Sequence, residues 1–387
     1  MNPPTVNPLT VNMGLAERRA GEFMDLLRAL VTTESPTGDE AANLAVAGIL
    51  EKAIVQAGGR VERVPAPGLG VHLVGRFRGT AADGRTPLLV VGHMDTVHPV
   101  GTLQRLPFAT RDGRIYGPGI YDMKSGVTAA LVALGALLET NGGPGSDISF
   151  LITCDEEWGS PESRELIEAE ARKSHATLVV EPSVPGGGVK SRRKGVSAYV
   201  LHVAGKAAHA GIEPDAGASA VHEIARQICR ICDLADTAAG TTVSVGVVSG
   251  GTAENVVADA ARCTIDVRFW TCDEAKRIDA ALRESDAFDQ RCKLRLEGGI
   301  NRGPLEKTPE SSRLIEQARE FAAELGFELG DGKTGGGSDG NISSAVGCPT
   351  LDGLGPDGGG AHTLDEHIIV AEIPRRIALM AALFERL

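Results

Sequence analysis

Aromatic residues are scarce in this chain, at 4 % of 387 residues, and no uninterrupted run approaches about 18 apolar residues. No membrane span is therefore predicted. Positive charge is also in deficit. The formal net charge of -12 argues against a nucleic-acid partner and against an anionic membrane surface. It leaves the substrate open, because a local basic pocket can sit in an acidic protein. The opening residues, MNPPTVNPLTVNMG, lack a basic start and an apolar core, so they do not read as a secretory signal. Residues 1–13 are expected to be a disordered tail, and a cytoplasmic location is expected. The cysteines are odd in number, seven, with no framework spacing, which fits reduced thiols. Cys229 and Cys232 form a CxxC inside a helical stretch whose apolar face is Ile224, Ile228, Ile231 and Leu234. Packing explains them better than redox chemistry or metal binding.

Glycine is plentiful at 49 residues, so many tight loops are expected. The length exceeds one comfortable core, which predicts two domains. Helical periodicity covers Gly14–Val31 and Asp39–Gln56, followed by strands at Val61–Val64, Val71–Phe77 and Leu88–His93. A helix over Lys124–Glu139 and buried strands at Ile148–Thr153 and Leu178–Val180 continue an α/β pattern. From Val196 the order becomes strand, helix, strand, strand, helix, strand, ending near Glu297, which is the split βαβ order of a ferredoxin-like domain. The first pattern resumes near Pro304, with helices at Ser311–Leu325, Asp339–Val346 and Ile368–Leu387. The fold expected is an α/β catalytic domain with a mixed, mainly parallel sheet flanked by helices. Its two parts, 1–188 and 301–387, enclose an inserted ferredoxin-like α+β domain at 189–300.

The stretch Leu88–Val97, LLVVGHMDTV, organises the rest. Its apolar, β-branched run reads as a buried parallel strand, and His93 and Asp95 fall at the carboxyl end, where open α/β sheets place ligands. The strand Ile148–Thr153 empties into Asp155, Glu156 and Glu157, and Leu178–Val180 empties into Glu181. Asp122 sits at a helix start between them, and His362 lies in the loop GGGAHTLDE. Carboxylates converging without a cation would repel one another. A pair of divalent ions sharing a carboxylate resolves that, and this donor set suits zinc, cobalt or manganese. One acid is left over to act as a base. Taken singly, Asp122 could instead cap the following helix.

Two further patterns lead elsewhere and are set aside. Gly332-Lys333-Thr334 resembles the end of a phosphate-binding loop, but the upstream glycine of that motif is missing. Ser338-Asp339 has no nucleophile elbow around it, and Asp339 is expected to cap the next helix. The basic run Lys190–Lys194 is read as a solvated hinge.

The motifs GHMDTVHP, GPGIYDMKSG, TCDEEWGS, VVEPS, GKAAHAG, ENVV, DVRF, TGGGSDGN and AHTLDE occur in this order from about residue 15 to the end. In them the chain resembles the M20 metallopeptidases, most closely the glutamate carboxypeptidase branch. The resemblance implies that His93, Asp122 and Glu181 hold one metal, and that Asp122, Glu157 and His362 hold the other, with Asp122 bridging. It implies a cis peptide after Asp122. Glu156 would be the general base acting on a hydroxide that bridges the metals, with Asp95 hydrogen-bonded behind His93. His209, supplied by the partner of a homodimer built through the inserted (lid) domain, would donate to the oxyanion. Arg268, Asn255 and the amides of Gly336 and Gly337 would receive a substrate carboxylate. The implied activity is release of a C-terminal amino acid, foremost glutamate, from N-acyl or folate-like peptide conjugates. An aminoacylase or deacetylase of the same family and a non-catalytic metal-dependent binding protein are the alternatives.

Overall fold

A computed structural model describes residues 9–81 and 86–387. The chain divides into two compact units. One comprises Met1–Ser191, Lys307–Thr334 and Ser338–Leu387, and the other Arg192–Glu306 with Gly335–Gly337. The junctions thus fall at 191/192 and 306/307, against 188/189 and 300/301 expected from composition. The second shift has a simple cause. The strand Lys293–Arg302 continues past Glu297 and pairs with residues 196–204 of the strand Gly195–Ala204, with a register shift between Ile300 and Arg302.

The first unit is built on a six-stranded sheet in the spatial order Arg60–Ala66, Gly70–Phe77, Ile148–Thr153, Leu88–His93, Ala176–Val179, Thr350–Leu351. The first two pairings are antiparallel and the remaining three parallel. The central strands are apolar and buried throughout, as parallel strands covered on both faces must be. Register aligns their carboxyl ends: His93 lies opposite Thr153, and Val91 opposite Val179. The residues that follow each strand therefore emerge along one edge of the sheet.

The helix Ser125–Asn141 is buried from Ser125 through Leu137. Together with the preceding turn it gives one segment, Ile120–Asn141, long and apolar enough by composition to cross a membrane, but 89 % of that window is packed inside the protein. Small residues let this helix approach the sheet. A Cβ on Gly126 would lie 1.8 Å from the Val180 carbonyl oxygen, one residue before Glu181. The closing helix Glu372–Arg386 packs beside it and is preceded by the short strand His367–Ile369, where one continuous helix was expected.

Other boundaries moved for local reasons. The expected first helix is two, Met13–Arg18 and Ala20–Val31, broken at Arg19. Residues 1–8 of the expected tail lie outside the described residues. Val11, however, is fully buried, and the Thr10 N–H donates to Glu385 at 3.0 Å, so the chain is packed from there on. Ser338, not Asp339, caps the helix Asp339–Ala345, accepting from the Gly340 N–H. The Lys190–Lys194 run is no solvated hinge: Lys190, Ser191 and Arg193 are buried, and Val189–Arg193 is a strand.

The second unit has the strand order Thr242–Gly250, Ala260–Phe269, Gly195–Ala204, Lys293–Arg302, all antiparallel. That is the ferredoxin-like arrangement. Alternate residues of Ala260–Phe269 turn inward, and Cys263, Ile265, Val267 and Phe269 meet Ile224, Ile231, Ile278 and Leu282 from the helices Ala220–Cys232 and Cys272–Arg283. Cys229 and Cys232 are exposed on their helix, outside this core, with free thiols.

Because the contact at Gly126 is with backbone, it cannot be relieved by a side-chain rotation. Gly126→Ala is expected to destabilise the protein by about 1–3 kcal/mol in chemical denaturation, as overpacked cores do. An unchanged midpoint and slope would show that the helix can move away from Val180 without cost.

Candidate metal centre

Six side chains from five chain segments meet at the carboxyl edge of the first unit's sheet. His93 ends its strand fully buried. Its Nδ1 lies 2.9 Å from the Asp95 carbonyl oxygen and 3.5 Å from the Asp95 carboxylate. Nδ1–H donating to that carbonyl aims Nε2 at the carboxylates, the nitrogen that would ligate once its own proton is lost. Nε2 is 3.2 Å from Asp122 Oδ1 and 3.7 Å from Glu181 Oε1. On the other side of Asp122, Oδ2 is 3.4 Å from His362 Nε2, which is itself 3.5 Å from Glu157 Oε2. Asp122 thus offers one oxygen to each imidazole.

The local backbone explains how these groups converge. The peptide Asp122–Met123 is cis. The helix that follows is capped at Lys124 with no side-chain hydrogen bond, so Asp122 does not serve as its cap. His362 sits at φ +64°, a left-handed conformation that costs a non-glycine residue about 1–3 kcal/mol. Its loop is closed by the Thr363 N–H donating to the Gly360 carbonyl. Asp155 faces inward, accepting from the N–H groups of Glu162 and Ser163 at 2.8 and 3.0 Å. The turn after it presents Glu156 and Glu157.

Asp95 does more than sit behind His93. Its carboxylate accepts from the N–H groups of Glu156 and Glu157 at 3.3 and 3.2 Å, and from the Thr37 hydroxyl at 2.7 Å. One residue therefore orients the imidazole through its carbonyl and fixes the acidic turn through its side chain. Sequence reasoning missed Thr37, which carries no motif signal, and Lys190, whose Nζ lies 3.9 Å from Glu181 Oε2.

The electrostatics are those of a site built for cations. Burial and the neighbouring Asp122 charge push Glu157 up to about 9. Burial opposes ionisation of Asp122, but hydrogen bonds with His362 and His93 hold it far below the ordinary carboxylate range. The bond to Asp122 raises His362 to about 9 against burial. His93 is raised well above the usual imidazole value by Asp122 and Asp95, which outweigh its burial.

The donor set fits divalent ions. Ligands about 2.1 Å from a tetrahedral ion lie about 3.4 Å from one another. The His93–Asp122, His362–Asp122 and His362–Glu157 separations of 3.2, 3.4 and 3.5 Å match that edge. Glu157 Oε1 is buried and, among the described residues, accepts no hydrogen bond. Two groups could each hold an ion, His93–Glu156–Glu181 and His93–Asp122–Glu157. They share His93, and Glu156 stands within ligating range, whereas the resemblance shares Asp122 and keeps Glu156 apart.

The remaining candidates belong to the second unit. His209 pairs with Val256, and the Ala210 N–H donates to the Asn255 carbonyl at 3.0 Å, so His209 and Asn255 stand on adjacent segments. His209 Nδ1 accepts from the N–H groups of Gly211 and Ile212, which leaves Nε2 as the protonated, exposed nitrogen. Arg268 turns its fork onto Asp266 of its own strand, with Nε and Nη2 each 2.9 Å from the carboxylate. The carbonyls of Gly336 and Gly337 accept from Arg193 at 3.3 and 3.1 Å.

Comparison with known proteins places the chain. Residues 89–386 match the family described as peptidase family M20/M25/M40. Carboxypeptidase G2 of Pseudomonas sp. (strain RS-16) is 32 % identical over 92 % of this chain and 87 % of its own. The succinyl-diaminopimelate desuccinylase of Delftia acidovorans is 31 % identical over 78 % of this chain and 81 % of its own. The crystal structure of aminopeptidase PepT from Bacillus cereus ATCC 10987 superposes with a TM-score of 0.79 at 25 % identity, covering 97 % of this chain and 98 % of that one. The chain belongs to peptidase family M20/M25/M40. It is a hydrolytic enzyme of a metal-dependent family.

Ligation requires neutral imidazoles and ionised carboxylates, so if His362 and Glu157 are ligands, metal would have to displace their protons, both groups being raised to about 9. Zn²⁺ binding near pH 7 is expected to release protons, and affinity is expected to climb as pH rises towards about 9. Calorimetry in buffers of different ionisation enthalpy measures the release. Binding without it would remove these two residues from the ligand set.

Proposed function

We propose that this protein is a two-metal amide hydrolase that releases a C-terminal amino acid, glutamate foremost, from N-acyl or peptide conjugates. The observation that carries the reading is Asp122 with one carboxylate oxygen on each of two imidazoles. In this reading His93, Asp122 and Glu181 form one site and Asp122, Glu157 and His362 the other, with zinc the first choice and cobalt or manganese able to replace it. Divalent ions there would polarise the scissile carbonyl and acidify a water.

The protein's own groups do the rest. Glu156, buried beside His93 on a turn anchored by Asp95, takes the proton of the attacking water and returns it to the leaving amine. His209, with Nδ1 held by two backbone N–H groups, presents Nε2–H to the charge developing on the carbonyl oxygen. By family resemblance that histidine is supplied across a homodimer formed through the inserted unit. Arg268 receives the substrate carboxylate, with Asn255 and the amides of Gly336 and Gly337 beside it. To do so its fork must leave or share Asp266.

Glutamate preference is supported by the similarity to carboxypeptidase G2 over 92 % of the chain. The 31 % identity to a desuccinylase supports a second reading, cleavage of an N-acyl amino acid with another side chain. Metal-stripped protein with and without Zn²⁺, assayed on N-acyl amino acids and p-aminobenzoyl-glutamate, separates the two. Metal-restored cleavage should favour the glutamate conjugate; a preference for another acyl amino acid selects the second reading. Glu156→Gln should lower kcat by about 10²–10⁴ while metal still binds, and retained turnover would deny Glu156 its role. Arg268→Ala should raise KM for the glutamate substrate about tenfold or more, from loss of a charge-assisted bond of about 1.5–3 kcal/mol.

A further inference from the structure

Behind the candidate metal centre lies a fully buried carboxylate with no place in the reaction just described. Glu366 follows His362 by four residues in the AHTLDE loop and is 0 % exposed. Its Oε1 accepts from the Tyr121 N–H at 2.8 Å and the Asp122 N–H at 3.0 Å. Its Oε2 accepts from the Gly119 N–H at 3.0 Å and faces His98 Nε2 at 2.6 Å. An ionised carboxylate only accepts, and it offers about four lone-pair positions. Four donors fill them, which also assigns the hydrogen to Nε2 of His98. His98 is itself buried, at the end of the GHMDTVHP motif that begins beside His93.

Three backbone N–H groups converge on one carboxylate only because the chain turns sharply here. Gly119 stands at φ +67°, and Asp122 departs from helical geometry at φ -114°, ψ 98°. Local bonds close the turn, from the Ile120 N–H to the Gly117 carbonyl and from the Lys124 N–H to the Gly119 carbonyl, whereas the Gly119, Tyr121 and Asp122 N–H groups all go to Glu366. The Asp122 side chain must nevertheless keep one oxygen 3.2 Å from His93 and the other 3.4 Å from His362. Its backbone N–H is fixed by Glu366, and the loop that carries His362 is the one that carries Glu366.

We propose that Glu366, with His98 as its side-chain donor, is the positioning residue that sets the two-sided presentation of Asp122 to the metals. The proposal rests on the reading of Asp122 as a metal ligand. Glu366 touches neither substrate nor metal; it acts through Asp122 and the His362 loop. A glutamine of the same shape cannot replace it. Its amide nitrogen would confront either the Tyr121 and Asp122 N–H groups, which would both lose their acceptor, or the Gly119 N–H and His98, where an imidazole of the other tautomer accepts from the amide but the Gly119 N–H loses its acceptor.

Metal affinity of the purified full-length chain tests this without any substrate. Zn²⁺ is titrated against a chromophoric chelator, with stoichiometry from elemental analysis and thermal melting of the metal-free protein alongside. Glu366→Gln is expected to weaken Zn²⁺ binding by about 10- to 100-fold, the usual loss when a group orienting a ligand is removed. His98→Leu should fall by about tenfold, while His98→Gln, which keeps an N–H donor, should stay within about threefold of wild type. A merely structural role would lower the metal-free melting temperature and leave the affinity of the folded protein unchanged, and that result overturns the proposal. If Glu366→Gln does not fold, the His98 pair decides: equal affinities for His98→Leu and His98→Gln overturn it. Failure of the wild type to bind divalent metal would instead remove the metal-centre reading, and this proposal with it.

Discussion

Repulsion among buried carboxylates is the constraint that the first unit is arranged around. Asp95, Asp122, Glu156, Glu157 and Glu181 all approach His93 at one edge of the sheet. Without compensating charge such a cluster would cost several kcal/mol for each unpaired ion. The chain compensates in stages. Backbone N–H groups meet Asp95, and imidazoles meet both oxygens of Asp122. Glu157 keeps an oxygen with no hydrogen-bond partner among the described residues, and burial beside Asp122 pushes it up to about 9. The residual imbalance is what a divalent cation removes, so the features that destabilise this edge are the ones that fit it for metal.

Much of this arrangement was legible in the sequence because strand ends are. An unbroken apolar run followed at once by His93, or by Asp155-Glu156-Glu157, announces both a buried strand and what emerges from it. Register then does the convergence. The structure follows the expected mixed, mainly parallel sheet, and a separate four-stranded sheet in the segment inserted in sequence has the ferredoxin-like strand order. Family resemblance, and not periodicity, supplied the cis peptide after Asp122 and the pairing of His362 with that edge.

What escaped the sequence has a common physical character. Glu366 and Thr37 act by hydrogen bonds to groups far away in the chain, and neither composition nor spacing encodes a tertiary partner. Lys190 looked like part of a solvated basic run because charge dominates that stretch, yet the strand Val189–Arg193 carries it inside. Aspartate favours the cap position, so the sequence alone points to Asp339 there. Ser338 took the cap, and Asp339 instead receives the hydroxyls of Thr153 and Ser160. In each case a tertiary partner outweighed a local preference. Arg268 is the reverse case: the fork suited to a substrate carboxylate already has one, Asp266, two residues away on the same strand.

The interrupted course of the first unit has a consequence for synthesis. Residues 192–306 form a continuous stretch of the second unit with its own hydrophobic core, and they leave the ribosome before the last strand, the His362 loop and the helix Glu372–Arg386 exist. The inserted unit can therefore collapse early, while the first unit waits with its central sheet lacking the edge strand Thr350–Leu351. His362 is added after every other residue of the centre. A nascent chain thus carries an acidic edge with only half of its imidazoles until the His362 loop follows the inserted unit.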